Sequence, residues 1–232
     1  MLTVITPTGC RPEAWAQCER LMARQDYPGE VRWIIVDDGE QPQPVTFSRP
    51  HWQLEVIRPR PFWRKGQNTQ ARNMLLALDQ AGTGKIAIIE DDDYYAPTWL
   101  STVDRKLDHA DLVGQTRMRY FNVYYRHWFQ HENCNHASLC ATAVKGPAVG
   151  SLRDCCKPTI KYFDLAMWRN YRGHKRLFTG CEVIGTKGLP GRGGICMGHQ
   201  PTFPGHIKDP EGAVLRSWIG ADAEVYLALP HG

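Results

Sequence analysis

The pattern of hydrophobic and polar positions in the first half of the chain predicts several short strands. Residues 2–6 are rich in β-branched side chains, and residues 31–36 form a nearly continuous apolar run, which is typical of a strand buried on both faces of a parallel sheet. A shorter strand is predicted at 54–57 and a further buried one at 85–89.

Helices are predicted between these strands. Pro12 suits the first turn of a helix, after which apolar residues recur at helical spacing. Apolar residues over 71–78 follow the i, i+3, i+4, i+7 pattern, and Gly82 lies just past the end. Pro97 begins another helix of the same kind.

The order of these elements predicts an α/β fold with an open, mostly parallel, Rossmann-like sheet and helices on both faces. We expect a single domain over 1–232, since the chain has 232 residues. Ligands of such sheets bind beyond the carboxyl ends of the strands. The three segments at those ends are polar, and they are 7–9, 37–39 and 90–93.

The composition is that of a soluble globular protein, with 42% hydrophobic and 22% charged residues. The net charge of +4, from 28 basic and 24 acidic residues, permits a polyanionic partner without requiring one. The chain has no apolar run long enough for a membrane span and no export signal, so we expect a cytoplasmic protein whose eight cysteines are reduced.

Four residues have a spacing that needs weighing as a zinc site: His131, Cys134, His136 and Cys140. Zinc sites usually draw their ligand pairs from separate knuckles, whereas residues 138–144 read as a strand with small buried side chains. The sequence therefore favours a strand over a zinc centre here.

An acidic cluster, Glu90 to Asp93, directly follows the predicted strand at 85–89. Four adjacent carboxylates repel one another and raise some of their pKa values unless a cation is present. Carboxylate oxygens suit hard ions, so the cluster predicts Mn²⁺ or Mg²⁺ binding. The alternative is a solvated acidic turn ahead of the helix at Pro97.

Four motifs in order and spacing carry a resemblance to a known family. They are Thr6-Pro7-Thr8, Ile34 to Gly39, Ala71-Arg72-Asn73 and Ile88 to Asp93. Together they resemble the family 2 glycosyltransferases of GT-A fold, over residues 1–110. The resemblance implies transfer of a sugar from a nucleotide donor, a UDP-sugar in our interpretation, to a hydroxyl with inversion at the anomeric carbon.

The resemblance also implies roles for individual residues near the donor. Thr6, Thr8 and one of Asp37 and Asp38 hold the nucleoside, and Arg72 lies near the same pocket. Glu90-Asp91-Asp92 stands where the family has its Asp-x-Asp element. Asp92 is then the expected direct metal ligand, with Asp91 at the donor and Asp93 beside it, although the first acid here is Glu.

The family's general base is an acid that opens a helix after the acceptor-binding segment, and Asp164 stands in that context. Phe163 replaces the usual Glu before it. Asp164 is the predicted base, the alternative being a simple helix cap. Asp154 and Glu182 are the fallback candidates.

A glycine-rich segment, 185–199, contains too many glycines to build a helix or pack a strand, so we expect a mobile loop. Its Lys187 and Arg192 are expected to close over the donor diphosphate. His199 is expected to add a late metal or phosphate contact. The alternative is a flexible loop with a purely structural role.

Residues 1–110 are thus predicted to bind the nucleotide-sugar, and 111–232 the acceptor. Three stretches combine basic and aromatic residues, namely 58–65, 117–131 and 169–176, which suits an acceptor hydroxyl on DNA, such as a hydroxymethylated pyrimidine. A polysaccharide or lipid-linked acceptor is the alternative. Two other function classes stay open, a sugar nucleotidyltransferase and a nucleic-acid-binding module without activity.

Overall fold

The computed structural model describes residues 1–61, 63–64, 69–194 and 196–229, which form twelve strands and seven α-helices. In chain order these elements are β1 (Leu2–Thr8), α1 (Pro12–Ala23), β2 (Val31–Asp37), β3 (Trp52–Ile57), α2 (Gln70–Ala81), β4 (Ile86–Ile88), β5 (Tyr94–Tyr95), α3 (Trp99–Leu107), β6 (Leu112–Thr116), β7 (Arg119–Asn122), β8 (His127–Gln130), β9 (Thr142–Val144), α4 (Pro147–Cys155), α5 (Phe163–Asn170), β10 (Lys175–Thr179), β11 (Val183–Lys187), β12 (Ile207–Lys208), α6 (Ala213–Ile219) and α7 (Ala223–Leu227).

The central sheet has seven strands in the order β10-β6-β9-β4-β1-β2-β3. Six of them are parallel, and β9 runs antiparallel to both of its neighbours, β4 and β6. The carboxyl ends of the six parallel strands therefore meet at one edge of the sheet. The mostly parallel sheet predicted from the sequence is confirmed.

Helices cover both faces of this sheet, as predicted. On one face α1 and α3 pack against Val4 and Trp33, and on the other α2, α4 and α5 pack against Ile5 and Ile34. Successive residues of a strand point to opposite faces, so β1 and β2 each contribute to both cores. This explains why the apolar run 31–36 shows no alternation.

A second sheet of five short strands, in the order β12-β8-β7-β11-β5, lies beyond the predicted elements. It corrects the expectation of a glycine-rich loop over 185–199, because Gly185, Thr186 and Lys187 belong to the buried strand β11. A Cβ at Gly185 would lie 2.2 Å from the Tyr120 ring, so this glycine lets β11 and β7 pack closely. The irregular segment begins at Gly188.

The predicted helix over 71–78 is present as α2, and it ends at Gly82 with φ +68°. The strand predicted at 138–144 is shorter than expected, since residues 139–141 form a 3₁₀ turn before β9. Within the described part of the chain, none of the helices has both the length and the apolar character that crossing a bilayer requires.

Candidate functional site

A cavity of about 240 Å³ opens at the carboxyl edge of the central sheet. Segments that follow β1, β2 and β4 form one side of it, and the start of α5 and the segment after β11 form the other. This is where ligands bind in open parallel sheets. Its charged lining residues are Arg11, Asp38, Glu90, Asp91, Asp92, Lys161, Asp164, Lys187 and Arg192.

Arg11 neutralises the two acids that face the cavity from the end of β4. Its Nη1 donates to Asp91 Oδ1 and its Nη2 to Asp92 Oδ2, both at 2.8 Å. Asp91 Oδ2 also accepts a hydrogen bond from Thr8 Oγ1 at 2.7 Å. The rim of β1 therefore holds the acidic cluster through both a hydroxyl and a guanidinium.

Lys187, at the end of β11, neutralises the cluster from the opposite side. Its Nζ lies 2.7 Å from Asp93 Oδ1 and 3.6 Å from Asp92 Oδ2. Asp93 Oδ1 also accepts from the Thr186 backbone N–H at 2.9 Å. Asp93 is therefore buried behind the cavity wall, where its contacts anchor β11 to the acidic turn. Its predicted metal contact stays a prediction.

The carboxyl groups of the cluster differ in pKa, because burial and the neighbouring charges act on them to different extents. Burial, followed by the charge of Asp93, raises the pKa of Glu90 well above its usual range, and burial outweighs Arg11 to raise that of Asp91 to about 6. Burial also acts to raise the pKa of Asp92, but Arg11 and Lys187 outweigh it and hold that pKa well below its usual range. Asp92 is therefore the carboxylate that is ionised under all ordinary conditions.

These residues fit a divalent cation. Four carboxylates, Glu90 to Asp93, face two buried cations, Arg11 and Lys187, so that full ionisation leaves two negative charges to be balanced. Hard oxygen donors of this kind select Mg²⁺ or Mn²⁺. Asp91 and Asp92 line the cavity and would hold such an ion. Glu90, Asp93 and Cys140 form a second potential group of ligand atoms within 4.8 Å of one another, and two of them, Glu90 and Cys140, also line the cavity.

The two predicted nucleoside-binding segments divide into residues that face the cavity and residues that do not. Thr8 and Asp38 line it. Thr6 is fully buried and accepts from Trp33 Nε1 at 2.9 Å, and Asp37 holds the turn after β2 by accepting from the Gly39 and Gln43 backbone N–H groups. The predicted donor contacts of Thr6 and Asp37 stay predictions.

Arg192 closes the cavity from the irregular segment after β11. Its Nη1 donates to Asp38 Oδ1 at 2.5 Å, and its guanidinium lies 4.9 Å from the centre of the Trp63 ring. Arg72 approaches the same carboxylate, and its Nη2 lies 3.6 Å from Asp38 Oδ2. Arg72 is not among the described residues that line the cavity. Asp38 thus brings together two of the predicted basic residues.

His199 also lines the cavity, and its Nε2 accepts a hydrogen bond from the Gly194 backbone N–H at 3.2 Å. Burial and the nearby charge of Lys187 lower the pKa of His199 to about 4. The imidazole is therefore neutral at physiological pH, the state that a metal contact through a ring nitrogen needs. A phosphate contact would use a ring N–H as the donor.

Asp164 lies in the first turn of α5 and lines the cavity. Burial raises its pKa, although backbone N–H groups of Leu165 and Leu139 act in the opposite direction. Of the two fallback candidates, Asp154 is exposed on α4 and Glu182 precedes β11, and neither is among the described lining residues. Asp164 is thus the one predicted base that reaches this cavity.

Sequence reasoning missed several residues of this site, above all Arg11. The signal was its position directly after β1, on the edge where chemistry was expected. Its partners are 80 and 81 positions further along the chain, and no local pattern identifies them. Gln70, which donates to Glu90 Oε1, and Tyr120, whose hydroxyl lies 2.5 Å from Ser138 Oγ, were missed for the same reason.

The weighed zinc ligands do not assemble in the described part of the chain. Cys140 lies with Glu90 and Asp93 at the cavity, while the rings of His131 and His136 meet near the surface with their centroids 5.8 Å apart.

The basic and aromatic stretches are only partly exposed. In 117–131, Phe121 is buried and Trp128 packs on Trp218, whereas Tyr124 and Tyr125 are 41% and 38% exposed. Arg117 and Arg176, from two different stretches, line one surface cleft together with Lys106, at the ends of β6 and β10. Residues 62 and 65 of the first stretch lie outside the described residues.

Comparisons with known proteins support the family resemblance. Residues 3–171 match the model of the family described as glycosyl transferase family 2. No curated protein matches the chain.

Solved structures with a similar fold include S. aureus TarS and a mannosyltransferase. S. aureus TarS 1–349 in complex with UDP-GlcNAc has a TM-score of 0.56 and 16% identity, covering 98% of this chain and 70% of that one. A mannosyltransferase from Pyrobaculum calidifontis, in complex with GDP-Man and Mn²⁺, has the same score and identity over 83% and 58%. The crystal structure of S. aureus TarS has a TM-score of 0.56 and 15% identity over 80% of this chain. The match spans only 36% of the TarS chain.

The family match covers more than half of the chain, and the acidic turn lies within it. Most residues that line the cavity lie within it too, whereas Lys187, Arg192 and His199 follow residue 171. This chain belongs to glycosyl transferase family 2.

Proposed function

We propose that this protein transfers a sugar from a nucleotide-sugar donor to an acceptor hydroxyl, with inversion at the anomeric carbon and with the help of Mn²⁺ or Mg²⁺. One observation carries the proposal: a single cavity is lined by the ionised carboxylate of Asp92 on one side and by Asp164 on the other. These are the two groups that an inverting, metal-assisted transfer needs on its two sides.

The donor is a UDP-sugar in this proposal. Thr8 and Asp38, at the ends of β1 and β2, offer hydrogen-bond partners for the nucleoside. Arg192 and Lys187 supply positive charge for the diphosphate. The complexes of similar folds with UDP-GlcNAc and with GDP-Man support a nucleoside diphosphate in this place.

A divalent ion bound by Asp91 and Asp92 would stabilise the negative charge that develops on the departing nucleoside diphosphate, an effect worth several kcal/mol. The chain's own contribution is to hold these carboxylates at the cavity wall through Thr8 and Lys187. His199, neutral at physiological pH, offers one further ligand nitrogen from the segment after β11.

Asp164 acts as the general base. Its carboxylate removes the proton from the acceptor hydroxyl as that oxygen bonds to the anomeric carbon, while the bond from this carbon to the diphosphate oxygen breaks. Burial raises the pKa of Asp164 and so makes the carboxylate a stronger base than an exposed aspartate. The backbone N–H groups at the start of α5 keep its side chain in place.

We further propose that residues 1–110 bind the donor and 111–232 the acceptor, and that the acceptor is a hydroxymethylated pyrimidine in DNA. The cleft of Lys106, Arg117 and Arg176 extends from the start of β10, at Arg176, to the carboxyl ends of β6 and β10. These ends lie at the same edge of the central sheet as the cavity, since β6 and β10 are parallel to β4. Its charged lining residues are all basic, which suits a phosphate backbone. The exposed rings of Tyr124 and Tyr125 are available to stack on an unpaired base.

The test is a transfer assay with labelled UDP-sugars and Mn²⁺, offering hydroxymethylated DNA, unmodified DNA and a polysaccharide as acceptors. The proposal expects label only on hydroxymethylated DNA and none in EDTA. Labelling of the polysaccharide alone would replace the DNA acceptor while keeping the transferase. Release of pyrophosphate from a nucleoside triphosphate and a sugar phosphate would instead identify a nucleotidyltransferase.

A further inference from the structure

The contact between Arg11 and the acidic turn is partly exposed and leaves one donor of the guanidinium without a partner among the described residues. The Arg11 side chain is 14% exposed, and its two terminal nitrogens contact two different carboxylates, those of Asp91 and Asp92. Its Nε is buried and has no hydrogen-bond partner within the described residues. A buried donor without a partner costs free energy, so a guanidinium in this state gains stability from new partners that satisfy more of its N–H groups.

The same two carboxylates line the cavity together with Glu90, and their oxygens are potential ligands for a divalent ion. The guanidinium occupies Asp91 Oδ1 and Asp92 Oδ2, and a divalent ion binding these oxygens would meet its positive charge at close range. Cation binding at these two oxygens and the Arg11 contact therefore exclude one another. Asp93 does not belong to the described lining of the cavity, and its Oδ1 is bound by Lys187 and Thr186.

We propose that Arg11 is an internal counter-ion that fills the metal position of the donor-free site and becomes a diphosphate ligand when metal and donor bind. This inference rests on the proposed metal-dependent function. Arg11 lines the cavity and directly precedes α1, so its backbone stays in place while the side chain turns from the carboxylates to the phosphate oxygens. A guanidinium pairs with phosphate as well as with carboxylate.

The consequence is coupled binding. Metal alone must displace Arg11 and leave it without a partner, so it binds weakly. Metal together with a nucleoside diphosphate gives Arg11 a new partner, so the two ligands bind tighter together than apart, by a reciprocal factor.

The experiment is a titration with Mn²⁺, followed by the electron paramagnetic resonance signal of the free ion, with and without saturating UDP. It compares the wild-type chain with Arg11→Gln, Arg11→Lys and Arg20→Gln. The last is the matched control, since Arg20 pairs with Asp222 away from the cavity and its loss changes the net charge equally. Thermal melts identify any variant that is unfolded.

The proposal expects Arg11→Gln to bind Mn²⁺ alone at least tenfold more tightly than the wild-type chain, and to lose most of the enhancement by UDP. Arg11→Lys keeps the charge but not the two-pronged contact, so its Mn²⁺ affinity should lie between the two. Equal or weaker Mn²⁺ binding by folded Arg11→Gln, or by Arg11→Lys if the Gln variant is unfolded, would overturn the inference while leaving UDP-sugar transfer intact. Absence of Mn²⁺ binding by the wild-type chain even with UDP would overturn the proposed function as well.

Discussion

At the scale of single residues, the site depends on a few side chains whose charge states are set by burial. Asp92 is held ionised by Arg11 and Lys187, while Asp164 sits alone among backbone N–H groups at the start of α5. The two aspartates therefore have different chemistry within one cavity. The difference leads to three predictions.

Asp92→Asn should lower transfer by at least ~10²-fold, since an amide is a poor ligand for a hard divalent ion. The fold should persist, because an amide oxygen can still accept from Arg11. The measurement is turnover of a UDP-sugar, with circular dichroism as the check on folding. Asp79→Asn, which alters an exposed ion pair with Arg153, is the control. Undiminished activity of Asp92→Asn would contradict the prediction.

Asp164→Asn should lower turnover by ~10² to 10⁴ and leave the dissociation constant of the donor nearly unchanged, as expected when general-base assistance is lost. Asp154→Asn, on the exposed side of α4, is the matched control and should be fully active. Single-turnover kinetics and UDP titration separate the two effects. A parallel loss of donor affinity would mean that Asp164 shapes the pocket instead.

The raised pKa of Asp164 predicts a pH dependence. Turnover should increase with pH as the carboxylate ionises, with a midpoint above ~3.9, where an exposed aspartate titrates. Stability should change in the opposite direction, because a pKa raised by folding contributes stability at acidic pH that is lost as the pH rises. The melting temperature of Asp164→Asn relative to the wild-type chain should therefore be higher at pH 7 than at pH 3.5. A difference that is independent of pH would refute this.

At the scale of elements, the contacts of Arg192 hold the segment after β11 in place. Arg192 binds Asp38 and stacks on Trp63, so the free mobility expected from the glycines of 188–194 is restrained at one point. Since Arg192 is also a proposed diphosphate ligand, this contact is the one that the donor would replace.

Arg192→Ala should free this segment, and its backbone amides should exchange hydrogen about tenfold faster, since a hydrogen bond between charged groups is worth ~1.5–3 kcal/mol. Hydrogen exchange followed by mass spectrometry of a peptide covering 188–194 measures this. Arg176→Ala, on β10, is the control. UDP with Mn²⁺ should slow the exchange of the wild-type segment, and unchanged exchange in Arg192→Ala would show that the contact does not restrain it.

The same scale shows what local sequence patterns can and cannot establish. The strands β1, β2 and β4 and the polar segments after them followed from apolar runs of the expected length. The second sheet did not, because β5 and β12 have two residues each and are held by partners far along the chain.

The sequence predicted which edge of the sheet carries the site, but not which of the neighbouring residues line the cavity. Thr6 and Thr8 lie on the same face of β1, but Thr6 is two residues deeper and is covered by Trp33, so only Thr8 reaches the cavity. Asp37 and Asp38 are consecutive, but Asp37 binds the backbone of the turn after β2 and only Asp38 lines the cavity. Which neighbouring residue turns inward depends on where the strand ends, and that is decided by tertiary contacts.

At the scale of the whole molecule, the edge of the central sheet that carries the cavity also carries one end of the basic cleft of Lys106, Arg117 and Arg176. The charged residues that line the cleft are all basic, so they would attract a polyanion. The arrangement makes the acceptor proposal a question of electrostatics that salt can test.

The logarithm of the association constant for DNA should fall linearly with the logarithm of the salt concentration, with a slope of ~0.9 per phosphate contacted. The double variant Arg117→Ala with Arg176→Ala should reduce that slope by about 2. Fluorescence anisotropy between 50 and 200 mM salt measures it. A double change at Arg32 and Arg153, which lie outside the cleft, is the control. An unchanged slope, or no DNA binding by the wild-type chain at low salt, would exclude the cleft as a DNA contact.

The central claim is that the acidic turn after β4 binds a nucleoside diphosphate through a divalent ion. Calorimetric titration of UDP into the wild-type chain, with Mn²⁺ and then with EDTA, tests it most directly, with Asp92→Asn as the third arm. We expect UDP to bind in Mn²⁺ and at 100 times its Kd to stabilise the fold by ~2.7 kcal/mol, with binding lost in EDTA and in Asp92→Asn. Equal UDP affinity in all three arms, or no UDP binding in any, would contradict the claim.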